Sequence, residues 1–401
     1  MKLNKREWWL LSAPLLVIGA LTAVNYVPSV KQAWDDWRLY GNQRPLFVLR
    51  PPHSKEKRST FEITFSHDTQ WIARSYWVYS DDDRYRTQVV SVWNTRTGNS
   101  KTWANGQWLN EMTFIPDTPY IQAELLTSSE DKKRAEFNYL TGAMRPGSLL
   151  PLDEKERRNR TEFLNLYGDH NWTWEPAMKR GVKNEKGQTR WFKSADGLQT
   201  LQVEKVFAQA KNVGQAHEKI YDFRVDVKFT DKSTSEKRIK FSVAKHQTFY
   251  SSSLDAWYGD NIDIYTSSNC KRLLIQTEDP FINGYSEGAP EIRTLQLWDT
   301  STGKLLQETK RSSRTKGEIV QSFESAAFSP DNKLLAIRLG NPGGYPCITE
   351  LRDAATGAVL KKFTSAQNQT AYKPVFSRDS RRLFVPCRDR IEVWDVSDIK
   401  P

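Results

Sequence analysis

Short apolar runs alternate with two recurring polar phrases along most of the chain. Phe328-Ser329-Pro330-Asp331-Asn332-Lys333 leads into Leu334-Leu335-Ala336, and Phe376-Ser377-Arg378-Asp379-Ser380-Arg381-Arg382 leads into Leu383-Phe384. Looser copies stand at Phe65-Ser66-His67-Asp68 and Phe114-Ile115-Pro116-Asp117. A second phrase follows at a distance: Trp93-Asn94-Thr95-Arg96-Thr97-Gly98, Trp298-Asp299-Thr300-Ser301-Thr302-Gly303, Arg352-Asp353-Ala354-Ala355-Thr356-Gly357 and a truncated Trp394-Asp395. Two phrases alternating every roughly 40 to 55 residues predict a repeat architecture.

Each phrase has a physical task. In the first, an aromatic ends one strand on its buried face, and the Ser and Asp side chains bond backbone groups of the tight turn that starts the next. In the second, alternation assigns Leu295, Leu297 and Trp298 to defined faces, Asp299 accepts from turn amides, and Gly303 supplies a positive φ. The result is a hairpin, and a hairpin cannot bury its own face, so the units must pack side by side. Such units fall at about 61–104, 111–149, 188–242, 262–310, 322–363 and 371–398, with the spacing rule behind them. A seventh fits in 150–187, although the charged run from Asp153 to Arg160 and the following Asn171-Trp172-Thr173-Trp174 read as an insertion with a short helix. The last unit lacks an outer strand, and Pro45-Leu46-Phe47-Val48-Leu49 is placed to supply it and remove an exposed edge.

The stretch from Gln321 to Val396 resembles a WD-repeat β-propeller, in its Phe-Ser-Pro-Asp turn and in the Trp-Asp dipeptide that closes a strand. It departs from that family in having no Gly-His dipeptide before the first strand of any blade. The resemblance implies an all-β fold, a degenerate six- or seven-bladed β-propeller over residues 60–401, and a binding or scaffold role.

Composition agrees with stacked sheets: 15 Trp, 15 Tyr and 18 Phe supply large fillers for the gaps between them. A formal net charge of +11 raises an acidic partner. The basic residues are interleaved with acids, as in Asp153-Glu154-Lys155-Glu156-Arg157-Arg158, so a solvated surface is the reading and no nucleic acid is expected. Cys270, Cys347 and Cys387 lack metal or disulfide spacing.

The amino terminus adds a different element. Lys2, Lys5 and Arg6 precede a stretch from Trp8 to Val30 that carries no charge, long enough to span a bilayer as one transmembrane helix. Trp8, Trp9 and Tyr26 suit its interfaces. A cleaved signal peptide is the competing reading, but the apolar run exceeds the usual length of one. The basic start places the large domain outside the cytoplasm. Residues 31–59 form a juxtamembrane segment around Trp34 and Trp37 and a linker marked by Pro51-Pro52.

Catalytic signals are weak. Gly284-Tyr285-Ser286-Glu287-Gly288 has the letters of a nucleophile elbow but sits between two strands and runs into Pro290, so it reads as a hairpin loop. The five histidines form no ligand pair, and Asp81-Asp82-Asp83 lacks the spaced ligands of a calcium loop. Neither a metal nor a quinone or other cofactor is expected. The sequence therefore predicts a membrane-tethered module that binds an unidentified protein or peptide without catalysis, through Tyr285 and Tyr345 on long loops and Trp172 and Trp174 in the insertion. The alternative is a propeller hydrolase or lyase with its site in the central channel.

Overall fold

The computed structural model describes Tyr40 and, with interruptions, residues 44–146 and 188–401; the interruptions are 51–57, 80–85, 106–107, 116, 127–132, 213–217, 234–236, 252–255, 259–261, 280–291, 313, 316–317, 320–321, 341–346, 366–372 and 388–389. Among the described residues, the regular elements are strands. After β1 (Phe47–Leu49), a first sheet is built from β2 (Arg58–Phe65), β3 (Trp71–Tyr79), β4 (Arg86–Asn94) and β5 (Ser100–Asn105). A second has β6 (Trp108–Phe114), β7 (Tyr120–Leu126), β8 (Lys133–Asn138) and β9 (Met144–Pro146). The third has five strands, β10 (Gln188–Lys193), β11 (Gln199–Asn212), β12 (Glu218–Asp231), β13 (Lys237–Ser251) and β14 (Ala256–Tyr258). The fourth is β15 (Ile262–Thr266), β16 (Arg272–Asp279), β17 (Ile292–Asp299) and β18 (Lys304–Ser312). A short ribbon of β19 (Arg314–Thr315) and β20 (Glu318–Ile319) leads to the fifth sheet, β21 (Ser322–Phe328), β22 (Leu334–Gly340), β23 (Cys347–Asp353) and β24 (Val359–Ser365). The sixth is β25 (Val375–Phe376), β26 (Arg382–Pro386) and β27 (Ile391–Asp395), with β1 as its outer strand.

Each sheet is an antiparallel meander in chain order, and β1 pairs with β27 through Phe47↔Val393 and Leu49↔Ile391. The first strand thus completes the last sheet, as the apolar Pro45–Leu49 run predicts. Among the described residues, all successive sheets except the second and third pack face to face through apolar clusters. Leu49, Phe384 and Val393 of the sixth meet Phe65, Ile72 and Trp93 of the first, whose other face carries Val90 and Val92 against Phe114, Ile121 and Phe137 of the second. Third and fourth join through Val225, Val227 and Phe229 against Ile264, Leu273 and Ile275. Leu295 and Leu297 meet Leu335, Ile337 and Leu339, and Ala336, Leu351 and Phe363 meet Phe376, Leu383 and Trp394. Meanders packed in sequence, with the first strand closing the last, are the construction of a β-propeller.

The turn phrases hold this arrangement at one rim. The hydroxyls of Ser66, Ser194, Ser329 and Ser377 donate to Asp68, Asp196, Asp331 and Asp379 at 2.5–2.7 Å, and the same oxygens accept from the first amides of β3, β11, β22 and β26 at 2.8–2.9 Å. Ser267 does the same with Asn269 and Arg272. Three residues after each Ser the backbone turns left-handed, at Thr69, Gly197, Cys270, Asn332 and Ser380. The second phrase then locks onto the first within each sheet: the amides of Thr95, Tyr139, Lys232, Thr300, Ala354 and Val396 donate to the carbonyls of Gln70, Pro119, Leu198, Lys271, Lys333 and Arg381 at 2.8–3.1 Å.

Neighbouring sheets are stitched by the same turns. Ala195 N donates to Ser268 O at 3.1 Å, Ser268 Oγ to Asn332 Oδ1 at 2.8 Å, Asp331 N to Ser380 Oγ at 3.1 Å, and Arg378 N to Thr69 Oγ1 at 3.0 Å. The last of these joins residues at opposite ends of the chain, so the turns act as a belt. Ser329→Ala removes both the acceptor for the buried Leu334 amide and the donor to Asp331. It should cost about 1–2 kcal/mol in urea unfolding, and an unchanged midpoint would show that the belt contributes nothing to stability.

Two expectations need correction or completion. The third unit extends to Tyr258 rather than ending near residue 242, because β11, β12 and β13 are 14, 14 and 15 residues long. Among the described residues no helix is long and apolar enough to cross a membrane; the segment expected to do so, Trp8 to Val30, lies outside them, as do Trp34, Trp37 and the interval 150–187.

Candidate binding surfaces

The double length of the third sheet creates the most unusual surface. β11 starts at the belt and β12 returns to it, and their pairing continues from Lys205↔Val225 to Asn212↔Lys219. At about 3.3 Å per residue, this extra stretch runs about 23 Å farther from the belt. It ends at the rim that also holds the connection between β16 and β17 and that between β22 and β23. Those two connections carry Tyr285 and Tyr345. Both tyrosines, together with Trp172 and Trp174, lie outside the described residues.

Sequence reasoning missed an exposed aromatic that the structure does place. Trp191, on the innermost strand of the third sheet, is 63% exposed, whereas its neighbour Phe192 is 3% exposed in the seam with the fourth sheet. Alternation in Arg190-Trp191-Phe192-Lys193 was the available signal, since a strand that buries Phe192 must turn Trp191 the other way.

Three of the clusters of buried polar groups bridge strands or sheets. On β23, Glu350 accepts from Arg352 and is also met by Lys362 Nζ at 3.1 Å, while Arg352 Nη1 donates to Gln307 of the fourth sheet at 3.1 Å. On β27, the fully buried Glu392 accepts from the Tyr40 hydroxyl at 2.7 Å and from the Trp394 indole at 3.3 Å. Burial, reinforced by Glu392, drives the Tyr40 phenol far above its ordinary range. Tyr40 also packs edge-on to Trp394, with ring centroids 5.9 Å apart, so Tyr40 is held against the sixth sheet.

The third cluster is on the first two strands of the fifth sheet. A bulge between Phe323 and Ser325 sets Glu324 out of register on innermost β21, and its carboxylate lies 3.6 Å from the guanidinium of the wholly buried Arg338. Arg338 Nη1 donates to Pro386 O of the sixth sheet at 2.6 Å. Burial raises the Glu324 carboxyl, with Arg338 and Arg293 pulling it back down. The three cysteines are buried free thiols; burial pushes Cys270 up to about 12, so it is inert as a nucleophile at neutral pH. Among the described residues no three His, Cys, Asp or Glu side chains gather as metal ligands. The Gly284–Gly288 elbow-like letters and Asp81–Asp83 lie outside the described residues.

No family model matches the chain, and no curated protein matches it. Solved structures that are similar include one described as the Dos1 propeller (10% identity over 89% of this chain and 96% of that one, TM-score 0.37). Others are an oligogalacturonate lyase in complex with manganese (10%, 88% and 95%, TM-score 0.37) and a mitotic checkpoint complex (11%, 88% and 92%, TM-score 0.35). Likeness at this level carries neither ligand nor activity to the chain.

Proposed function

We propose that the chain is a membrane-tethered β-propeller of six blades that holds another protein or a peptide, with no catalysis of its own. The observation that supports this reading most is the third sheet, which extends about 23 Å beyond a framework stitched at one rim from the third sheet through the sixth to the first. A fixed scaffold with protruding elements suits protein recognition, because little ordering entropy is spent on binding. The tether is the uncharged run from Trp8 to Val30, and the propeller lies on the extracytoplasmic side. Tyr40 then sets the ring close to the bilayer by fixing the juxtamembrane segment to the sixth sheet. Residues 150–187 are an insertion in this reading, and a seventh blade there leaves the function unchanged.

The hydrolase or lyase alternative has Glu324 as its candidate base, since its carboxyl is raised on an innermost strand. Its carboxylate already faces the Arg338 guanidinium, which favours a structural ion pair over a free base.

Two measurements test the reading. Protease added to sealed cells or spheroplasts should remove a carboxy-terminally tagged propeller without detergent; protection until lysis would reverse the orientation. A photo-crosslinking residue at Tyr285 or Tyr345 should give a protein adduct that the same residue at exposed Lys304 on β18 does not. Equal labelling at all three sites would sink the binding role of that rim.

A further inference from the structure

Among the described residues, apolar packing covers one face of the third sheet. Phe192, Leu201, Val203, Val225, Val227 and Phe229 pack on the fourth sheet, and register puts a different set on the opposite face. One row across four strands reads Trp191, Gln202, Lys228, Lys240, and the next reads Lys193, Thr200, Thr230, Arg238. Trp191, Lys193, Lys228, Arg238 and Lys240 are all exposed. The face of the second sheet that is turned away from the first is polar as well, with Thr113, Gln122, Glu136 and Arg145 in register. Among the described residues, apolar packing of the kind that joins the other seams is absent from both of these faces, and Glu136 and Asp226 on them are buried polar groups.

Lys228 and Lys240 stand directly opposite each other on β12 and β13. Like charges in that position repel, and among the described residues no acid pairs with either ammonium group. A third row, Thr189, Glu204, Asp226 and Ser242, adds acids farther from the belt. The surface thus presents cations beside an open indole, bordered by negative charge on one side.

We propose that this face binds an acidic segment of a partner protein, with carboxylates over Lys193, Lys228 and Lys240 and an apolar side chain against Trp191. The proposal rests on the protein-binding reading above and names its chemistry. A uniform polyanion such as nucleic acid matches the face less well, because its next charges meet Glu204. A peptide changes sign along its length and avoids that clash.

The test uses the full-length chain in detergent and a fluorescein-labelled twelve-residue peptide of alternating Glu and Leu, followed by anisotropy. Lys228→Glu with Lys240→Glu should weaken binding at least about tenfold, and Trp191→Ala at least about threefold. Lys304→Glu with Lys333→Glu, the same charge change on the fourth and fifth sheets, should leave affinity within about twofold. Equal weakening by that control pair, or no saturable binding, overturns the proposal. So does tighter binding of a twelve-nucleotide dT strand, or displacement of the peptide by a synthetic copy of residues 147–187, which would make the chain its own occupant. Adducts at Tyr285 or Tyr345 without peptide binding would leave the general reading standing and remove this one.

Discussion

A chain starting at residue 51 will unfold at a markedly lower urea concentration than one starting at residue 40, and it will self-associate. The shorter chain lacks β1 and Tyr40. Leu49 is 3% exposed and Tyr40 is 5% exposed, and Phe47 and Val48 pack against the same clusters. At about 1.5–3 kcal/mol for each well-buried apolar side chain, their loss should cost about 5 kcal/mol, more than any single turn substitution. It also strips β27 of its partner, so Ile391 and Val393 lie on a bare edge that pairs readily with another copy. Tyr40→Phe separates the two contributions: it keeps β1 and removes only the hydroxyl that Glu392 accepts from. That variant should lose about 1–2 kcal/mol and remain monomeric. Matching denaturation midpoints for the two chain lengths would mean that β1 is not what closes the ring.

The repeat was legible because its turns are built from side chains that can do little else. Ser329, Asp331, Asn332, Asp353 and Gly357 each have one assigned bond or backbone conformation, and those assignments are readable as letters. Copies at Ser194-Ala195-Asp196-Gly197 and Ser267-Ser268-Asn269-Cys270 escaped notice although they form the same turn. Their aromatics, Phe192 and Tyr265, stand two residues before the Ser instead of one, and Asn269 takes the place of Asp. Asn138-Tyr139-Leu140-Thr141-Gly142 was hidden in the same way, since Phe137 replaces the Trp. Its hydrogen bonds are nevertheless those of its siblings: Gly142 N donates to Asn138 O at 2.8 Å.

What the sequence did not disclose depends on pairing between distant strands. The excess length of β11, β12 and β13 shows as ordinary alternation, and only their mutual register extends the sheet beyond the ring. Trp191 is indistinguishable from filler until Phe192 is known to occupy the seam. Lys228 and Lys240 are two among 59 basic residues, and their opposition arises from a pairing twelve positions apart. Tyr40 sits in a segment read as linker, and nothing local marks its bond to Glu392, 352 residues away.

Arg338→Met will destabilise the ring by about 3 kcal/mol, the lower end of the range for breaking a buried pair, because the Glu324 side chain retains 18% exposure. The guanidinium links two sheets, donating to Pro386 O on one and facing Glu324 on the other. The carboxylate fills the space beside Gly340, where a Cβ would fall 1.4 Å from Glu324 Oε1. Glu324→Gln tests the charge separately. Burial holds the folded carboxyl above its unfolded value of about 4.3, against the pull of Arg338 and Arg293. Its favourable contribution is therefore complete below that value and is lost as pH rises through the raised folded value. Wild-type stability minus that of Glu324→Gln should accordingly fall as pH rises above about 4.3. The slope should steepen in the Arg338→Met background, where one opposing cation is gone. Combining both substitutions should recover about 1–3 kcal/mol relative to additivity. If Arg338→Met unfolds within about 0.5 kcal/mol of wild type, Arg338 does not hold the fifth and sixth sheets together, and a Glu324→Gln difference that is flat with pH would show that burial does not raise the carboxyl.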